Sequence, residues 1–257
     1  IPFIFFYTAS YAIFHAVNII APGLIISDAT NIFDLFTQGQ YFNGPLWFLL
    51  VIFWSNLIFY FIYRAGNRET TRATAVLCCG AAGLWLVRKG VFLPCFIDTT
   101  LASLPFFYFG YMLKKSNILY PSKHDRYNIP FALVLYLIAF AIDTFSHPTM
   151  FFHDKEFSGS IFSMIALPLT SVMALLLLCK AIKKIPVISY IGRYSIIPLC
   201  THHLIYRPIA LVVYRLVTPE DGGCYIVALS TIVICLAIIP PMIRYIPQFT
   251  AQKDLIK

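Results

Sequence analysis

LWFLLVIFWSNLIFYFIY, residues 46–63, runs for eighteen residues without a charged side chain and is followed at once by Arg64. A helix that crosses the roughly 30 Å hydrocarbon core of a bilayer needs about 20 mostly apolar residues, and this stretch has that length. The same ruler finds seven more along the chain, at 2–26, 73–87, 99–113, 129–146, 160–179, 194–217 and 223–246. The stretches at 73–87 and 99–113 are short, so they either extend into the apolar run 91–97 or tilt little. Hydrophobic residues make up 60% of the 257 and charged residues only 12%, too little polar surface to keep a soluble domain of this size in water. Proline and glycine inside several stretches suit membrane helices, where neighbouring helices satisfy the freed backbone groups. The chain therefore reads as all-α, a polytopic integral membrane protein with eight transmembrane helices in a single domain, 1–257, whose partner is the lipid bilayer.

Orientation follows from the loops, because Lys and Arg stay on the cytoplasmic side during insertion. Arg64, Arg68 and Arg72, then Lys114, Lys115, Lys123 and Arg126, then Lys180, Lys183, Lys184 and Arg193, then Arg244, Lys253 and Lys257 all fall on one side. The other side holds Arg88, Lys89 and Lys155. Both ends of the chain are expected in the cytoplasm. The net charge of +8 is then topological, and a nucleic-acid partner is not expected. Seven cysteines fall mostly within apolar stretches and show no paired metal-type spacing, so they read as small membrane-core residues and no metal is expected.

Three clusters could carry chemistry. Residues 191–208, IGRYSIIPLCTHHLIYRP, hold ionisable groups near mid-depth between two prolines. Pro198 and Pro208 are each expected to remove a backbone hydrogen bond and interrupt the helix, as membrane binding sites often do. His203 and Arg207, four apart, share a face, while His202 points roughly 100° away. The blander reading has a histidine bonding a neighbouring helix and Arg207 snorkelling to the headgroups, with Arg215 as an interfacial anchor. The second cluster is NGPLW at 43–47. Asn-Gly-Pro forces a turn with Trp47 at headgroup depth, and the preceding loop, with Asp28, Asp34, Gln38, Gln40 and Asn43, suits a polyol or sugar as well as plain solvation. The third is LPFFYFGYMLKK at 104–115, where Phe106 and Gly110 are one turn apart and allow a ring or backbone to approach closely, again with packing as the alternative. His15, His124, His147 and His153 are isolated.

Taken in order, NGPLWFLLVIF at 43–53, LPFFYFGYMLKK at 104–115 and YIGRYSIIPLCTHHLI at 190–205 resemble the membrane-bound acyltransferase family 3, in particular its bacterial sugar O-acetylases. Phe106, Phe107 and Gly110 match the family's Phe-Phe-x-x-Gly pattern, Trp47, Phe48 and Leu49 its Trp-Phe-Leu pattern, and IPFIFFY at 1–7 resembles the start of its third helix. The resemblance implies a ten-helix enzyme of the bacterial inner membrane that moves an acyl group, acetyl above all, from cytoplasmic acyl-CoA to a hydroxyl of a surface or lipid-linked glycan. It implies supporting catalytic roles for His203 and Arg207, substrate binding by Asn43, Trp47 and His202, and a cofactor-binding set of Phe106, Phe107, Gly110 and Arg193. Family members carry a catalytic histidine on the first helix and Arg-x-x-Arg before the third. Both are expected upstream of Ile1, which makes this stretch inactive alone. A transporter or flippase of a polar solute or glycan is the alternative, since intramembrane His and Arg also suit a translocation path.

Overall fold

A computed structural model describes residues 2–20, 31–37, 43–118, 120, 125–152, 156–182 and 185–252. Asp28, Gln38, Gln40, His124, His153 and the basic residues Lys123, Lys155, Lys183, Lys184, Lys253 and Lys257 lie outside them. The helices are α1 (Pro2–Ile20), the short α2 (Asp34–Thr37), α3 (Trp47–Ala65), α4 (Glu69–Arg88), α5 (Ile97–Lys115), α6 (Asn128–Ser146), α7 (Ile161–Ile182), α8 (Pro186–Arg193), α9 (Ile196–Val213) and α10 (Cys224–Tyr245). Among the described residues, one antiparallel hairpin, β1 (Thr149–Phe151) with β2 (Glu156–Ser158), interrupts an otherwise all-α architecture. Each of the eight apolar stretches contains a helix among the described residues. Seven of these helices, all but α5, are long and apolar enough to cross a membrane.

Rows of large apolar side chains are exposed along these helices, among them Leu133, Tyr136, Leu137 and Phe140 of α6 and Leu229, Ile232 and Val233 of α10. Helices that are apolar on every side bury one face in protein and need lipid for the other. The protein is a polytopic membrane protein. α5 is less apolar because it carries Asp98, Thr99, Thr100 and Ser103, and protein rather than lipid covers the first three, which are fully buried.

The chain forms two compact units, residues 1–50 with 186–257 and residues 51–185. In the second, α4 packs on α5 and α6 on α7. Phe59 of α3, Val76 of α4 and Leu104 of α5 make a shared core, with Phe107, Tyr108 and Tyr111 against it. Of the run 91–97 only Ile97, the first residue of α5, joins an α-helix. That run is a connection in which Cys95 (φ 59°) and Phe96 (φ 58°) adopt the left-handed conformation. α4 and α5 lengthen at their other ends instead, where Glu69 accepts from Lys115 (2.6 Å) and from the Tyr108 hydroxyl (2.9 Å). Arg72 lies 3.6 Å from the same carboxylate, with its guanidinium 3.8 Å above the Tyr63 ring. Charges that mark a loop in the sequence are here paired within the helix ends.

The close helix approach expected at Gly110 is found elsewhere. A methyl at Gly83 would fall on the Ala102 backbone and one at Gly80 on the Pro105 ring, whereas a methyl at Gly110 would meet nothing within 4 Å. Gly80 and Gly83 sit one turn apart on α4, so that small residues let the α4 and α5 backbones touch, the usual basis of tight membrane packing. Gly83→Ala should therefore destabilise the protein by about 1–3 kcal/mol through overpacking, while Gly110→Ala should be neutral or slightly stabilising. Thermal melting of both variants in detergent checks the pair, and equal losses would refute the assignment.

Candidate functional site

The first unit joins three segments that are far apart in the sequence. Asn43 precedes the single turn Gly44–Leu46, in which Pro45 fixes the first helical torsion and from which α3 continues. Asn43 is fully buried. Its Nδ2 donates to Ser10 Oγ of α1 (3.0 Å) and to the Cys200 carbonyl of α9 (2.7 Å). The next residue continues the junction, with the Gly44 N–H donating to His203 Nδ1 at 2.9 Å. On the other edge of that ring, Arg207 Nε donates to His203 Nε2 at 3.1 Å. His203 and Arg207 do share a face, as their spacing requires, and His203 is near the middle of the 18-residue α9.

Two N–H groups thus point at the two nitrogens of one imidazole. An uncharged imidazole carries a proton on one nitrogen and a lone pair on the other, so it accepts from one donor at a time. Each tautomer satisfies either Gly44 or Arg207 and sets the other donor against a ring N–H. A ring in this position can exchange a proton on one side for a proton on the other, which suits a group that takes and returns protons.

His202 does point elsewhere. Its Nδ1 lies 2.7 Å from the Pro198 carbonyl, and since a carbonyl only accepts, Nδ1 carries the proton and Nε2 keeps the lone pair. The ring lines a cavity of about 650 Å³ along α9 and α10, walled chiefly by apolar side chains such as Leu199, Val227, Ile232 and Leu236.

The expected interruption is found one turn before Pro198, and the one expected at Pro208 is corrected. Tyr194 and Ser195 separate α8 from α9, and Pro198 lies in the first turn of α9, where a missing N–H has no partner to lose. The Tyr194 carbonyl, which Pro198 was expected to leave free, accepts from the Ile197 N–H at 2.9 Å. Only Pro208 is interior, and α9 runs through it.

Of the other candidates, Trp47 is the first residue of α3, half-buried, with its ring edge-on to Phe48. Phe106, Phe107 and Gly110 belong to the second unit and do not converge. Phe107 packs on Phe59 (5.4 Å between ring centres), whereas Phe106 turns to Phe152 and a cavity of about 350 Å³ beside the hairpin. Gly110 is exposed. Arg193 ends α8, exposed, with its guanidinium 5.6 Å from the Tyr194 ring. Ser10 and the Cys200 carbonyl were not candidates, since nothing local marks either as a partner of Asn43.

Comparison with known proteins gives one result. A family model described as an acyltransferase domain matches residues 1–242, through both compact units. No curated protein and no solved structure matches the chain significantly.

Pro198→Ala should alter stability by less than about 0.5 kcal/mol, as expected of a residue whose N–H is not needed. Asn43→Leu, which removes two buried hydrogen bonds, should cost about 1–3 kcal/mol. Melting temperatures in one detergent decide both. A large loss for Pro198→Ala would overturn the placement of Pro198 in the first turn of α9.

Proposed function

We propose, because the chain belongs to the acyltransferase 3 family, that it serves transfer of an acyl group from cytoplasmic acyl-CoA, acetyl-CoA above all, to a hydroxyl of a surface or lipid-linked glycan. Family membership and the apolar helices make it a membrane acyltransferase. The observation that carries the finer reading is His203, held by the Gly44 N–H and Arg207 near the middle of a membrane helix. A hydroxyl is a poor nucleophile at neutral pH, and a histidine within hydrogen-bond reach can take its proton as it attacks a thioester carbonyl. The Arg207 guanidinium carries further N–H groups, beyond the Nε–H given to His203, of the kind that stabilise the oxyanion that forms. The phosphates of CoA cannot enter hydrocarbon, so the nucleotide end stays with the basic cytoplasmic loops while the pantetheine arm brings the thioester inward. We assign His203 and Arg207 a supporting role to a principal histidine, with Asn43, Trp47 and His202 on the acceptor side and Phe106, Phe107, Gly110 and Arg193 on the donor side.

The reading places the protein in a bacterial inner membrane with both ends in the cytoplasm. Mass spectrometry of surface and lipid-linked glycans from cells with and without the complete gene should then differ by one acyl increment. An unchanged glycan profile would overturn the proposal. His203→Ala and Arg207→Ala should each lower transfer per folded molecule by about two to three orders of magnitude, the typical loss of one positioned transition-state donor. His202→Ala should cost less, and near-normal transfer by the first two variants would return both residues to packing. For orientation, single cysteines at positions 38 and 122 in a cysteine-free background should label from outside and only after permeabilisation, respectively.

A further inference from the structure

We propose that Asn43 Oδ1 is a specificity-determining contact that accepts a hydrogen bond from a non-reacting hydroxyl of the acceptor, an inference that rests on the glycan-acceptor reading and names one of its contacts. The orientation of the amide follows from its partners. The Cys200 carbonyl oxygen only accepts, so the atom 2.7 Å away is the NH₂ group. Ser10 Oγ gives its own proton to the Phe6 carbonyl at 2.6 Å and thus accepts the second amide N–H. Both donors of Asn43 are spent. Its remaining polar atom, Oδ1, is buried and has no hydrogen-bond partner among the described residues.

A buried acceptor without a donor is paired in the functioning state by a ligand or a water. The ligand must bring a donor. Every free hydroxyl of a sugar donates, whereas the thioester carbonyl and the phosphates of acyl-CoA only accept; the amide N–H groups of the pantetheine arm are the competing donors, and the KM for acetyl-CoA tells the two apart. The site also belongs to the same turn as the imidazole, since the adjacent Gly44 N–H is the group bonded to His203. An amide oxygen is too weak a base to take a proton, so the hydroxyl it holds keeps its hydrogen and is not the one acylated. The reacting hydroxyl is a different one on the same acceptor. Its oxygen bonds to the acyl carbon, the C–S bond breaks, and its proton passes by way of a base to the leaving CoA sulfur.

The test uses the complete gene product and the oligosaccharide released from the glycan that carries the acyl increment, stripped of its esters by mild base. Monodeoxy forms of that oligosaccharide are compared as acceptors with acetyl-CoA as donor. With the parent protein, deletion of one hydroxyl other than the acylated one should raise the acceptor KM about tenfold, the effect of losing one hydrogen bond between neutral groups, with the KM for acetyl-CoA unchanged. In Asn43→Ala the acceptor KM should rise by a similar factor, and the same deletion should then cost nothing further. Asn43→Asp, which keeps an oxygen at Oδ1 and, when protonated, a donor to Cys200, should restore the dependence on that hydroxyl. Undiminished sensitivity to the deletion in Asn43→Ala would overturn the contact. If that variant does not accumulate, the parent decides: deoxy acceptors whose KM values all stay within about threefold of the intact sugar would equally overturn it. A parent that transfers no acyl group to any glycan would instead overturn the acceptor reading beneath it.

Discussion

Two N–H bonds from the Asn43 amide hold the first unit together where hydrocarbon would offer a polar group nothing. Inside a bilayer a hydrogen bond has no competing water, and a donor left unmade has no second choice. The junction follows from that constraint. One side chain reaches α1 at Ser10 and α9 at Cys200, and the neighbouring backbone N–H reaches His203. The Asn-Gly-Pro turn is therefore more than a way to begin α3, since it places three donors on two other helices within two residues. The second unit meets the same constraint with different materials. There Glu69 collects Lys115, Tyr108 and Arg72 at the ends of α4 and α5, and Gly80 and Gly83 let the two backbones close below them.

Those features that depend on composition or on spacing within one helix were legible in the chain itself. Eighteen uncharged residues ahead of Arg64 identify a membrane helix without any knowledge of its neighbours. The four-residue separation of His203 and Arg207 is enough to put them on one face, and their 3.1 Å contact follows from helix geometry alone. Features set by partners were not legible. Asn43 is 33 residues from Ser10 and 157 from Cys200, and nothing near any of the three announces the others. Gly110 and Gly83 look equally able to admit a neighbour, and only the packing of α4 against α5 decides that Gly83 does.

Proline shows the same division in a single residue type. A proline breaks a helix only where its N–H would have had a partner, so its effect depends on where the helix begins. The separation of α8 from α9 falls at Tyr194 and Ser195, where Pro198 has no N–H to bond the Tyr194 carbonyl, so that α9 begins anew with Pro198 in its first turn, whereas it runs through Pro208. Glu69 and Lys115 mislead for a parallel reason. Charges at the end of an apolar stretch count as loop until each has the other as a partner, and then they extend the helices they seemed to end.

The adjacent histidines of α9 show how little residue identity says about chemical role. His202 gives a proton to the Pro198 carbonyl one turn back, which fixes its tautomer and leaves a lone pair at Nε2 beside an apolar cavity. His203, one residue on and turned by about 100°, is met by a donor on each ring edge and is fixed in neither tautomer. The first ring is a donor held by its own helix. The second is tied to another part of the chain through Gly44, so any shift of the turn before α3 alters the balance between its two nitrogens. Movement of a few tenths of an ångström at that turn is enough to favour one donor over the other, because hydrogen-bond strength falls steeply with distance and angle. Asn43 and Gly44 are neighbours, so the turn that positions the Asn43 amide also sets one of the two donors that meet His203.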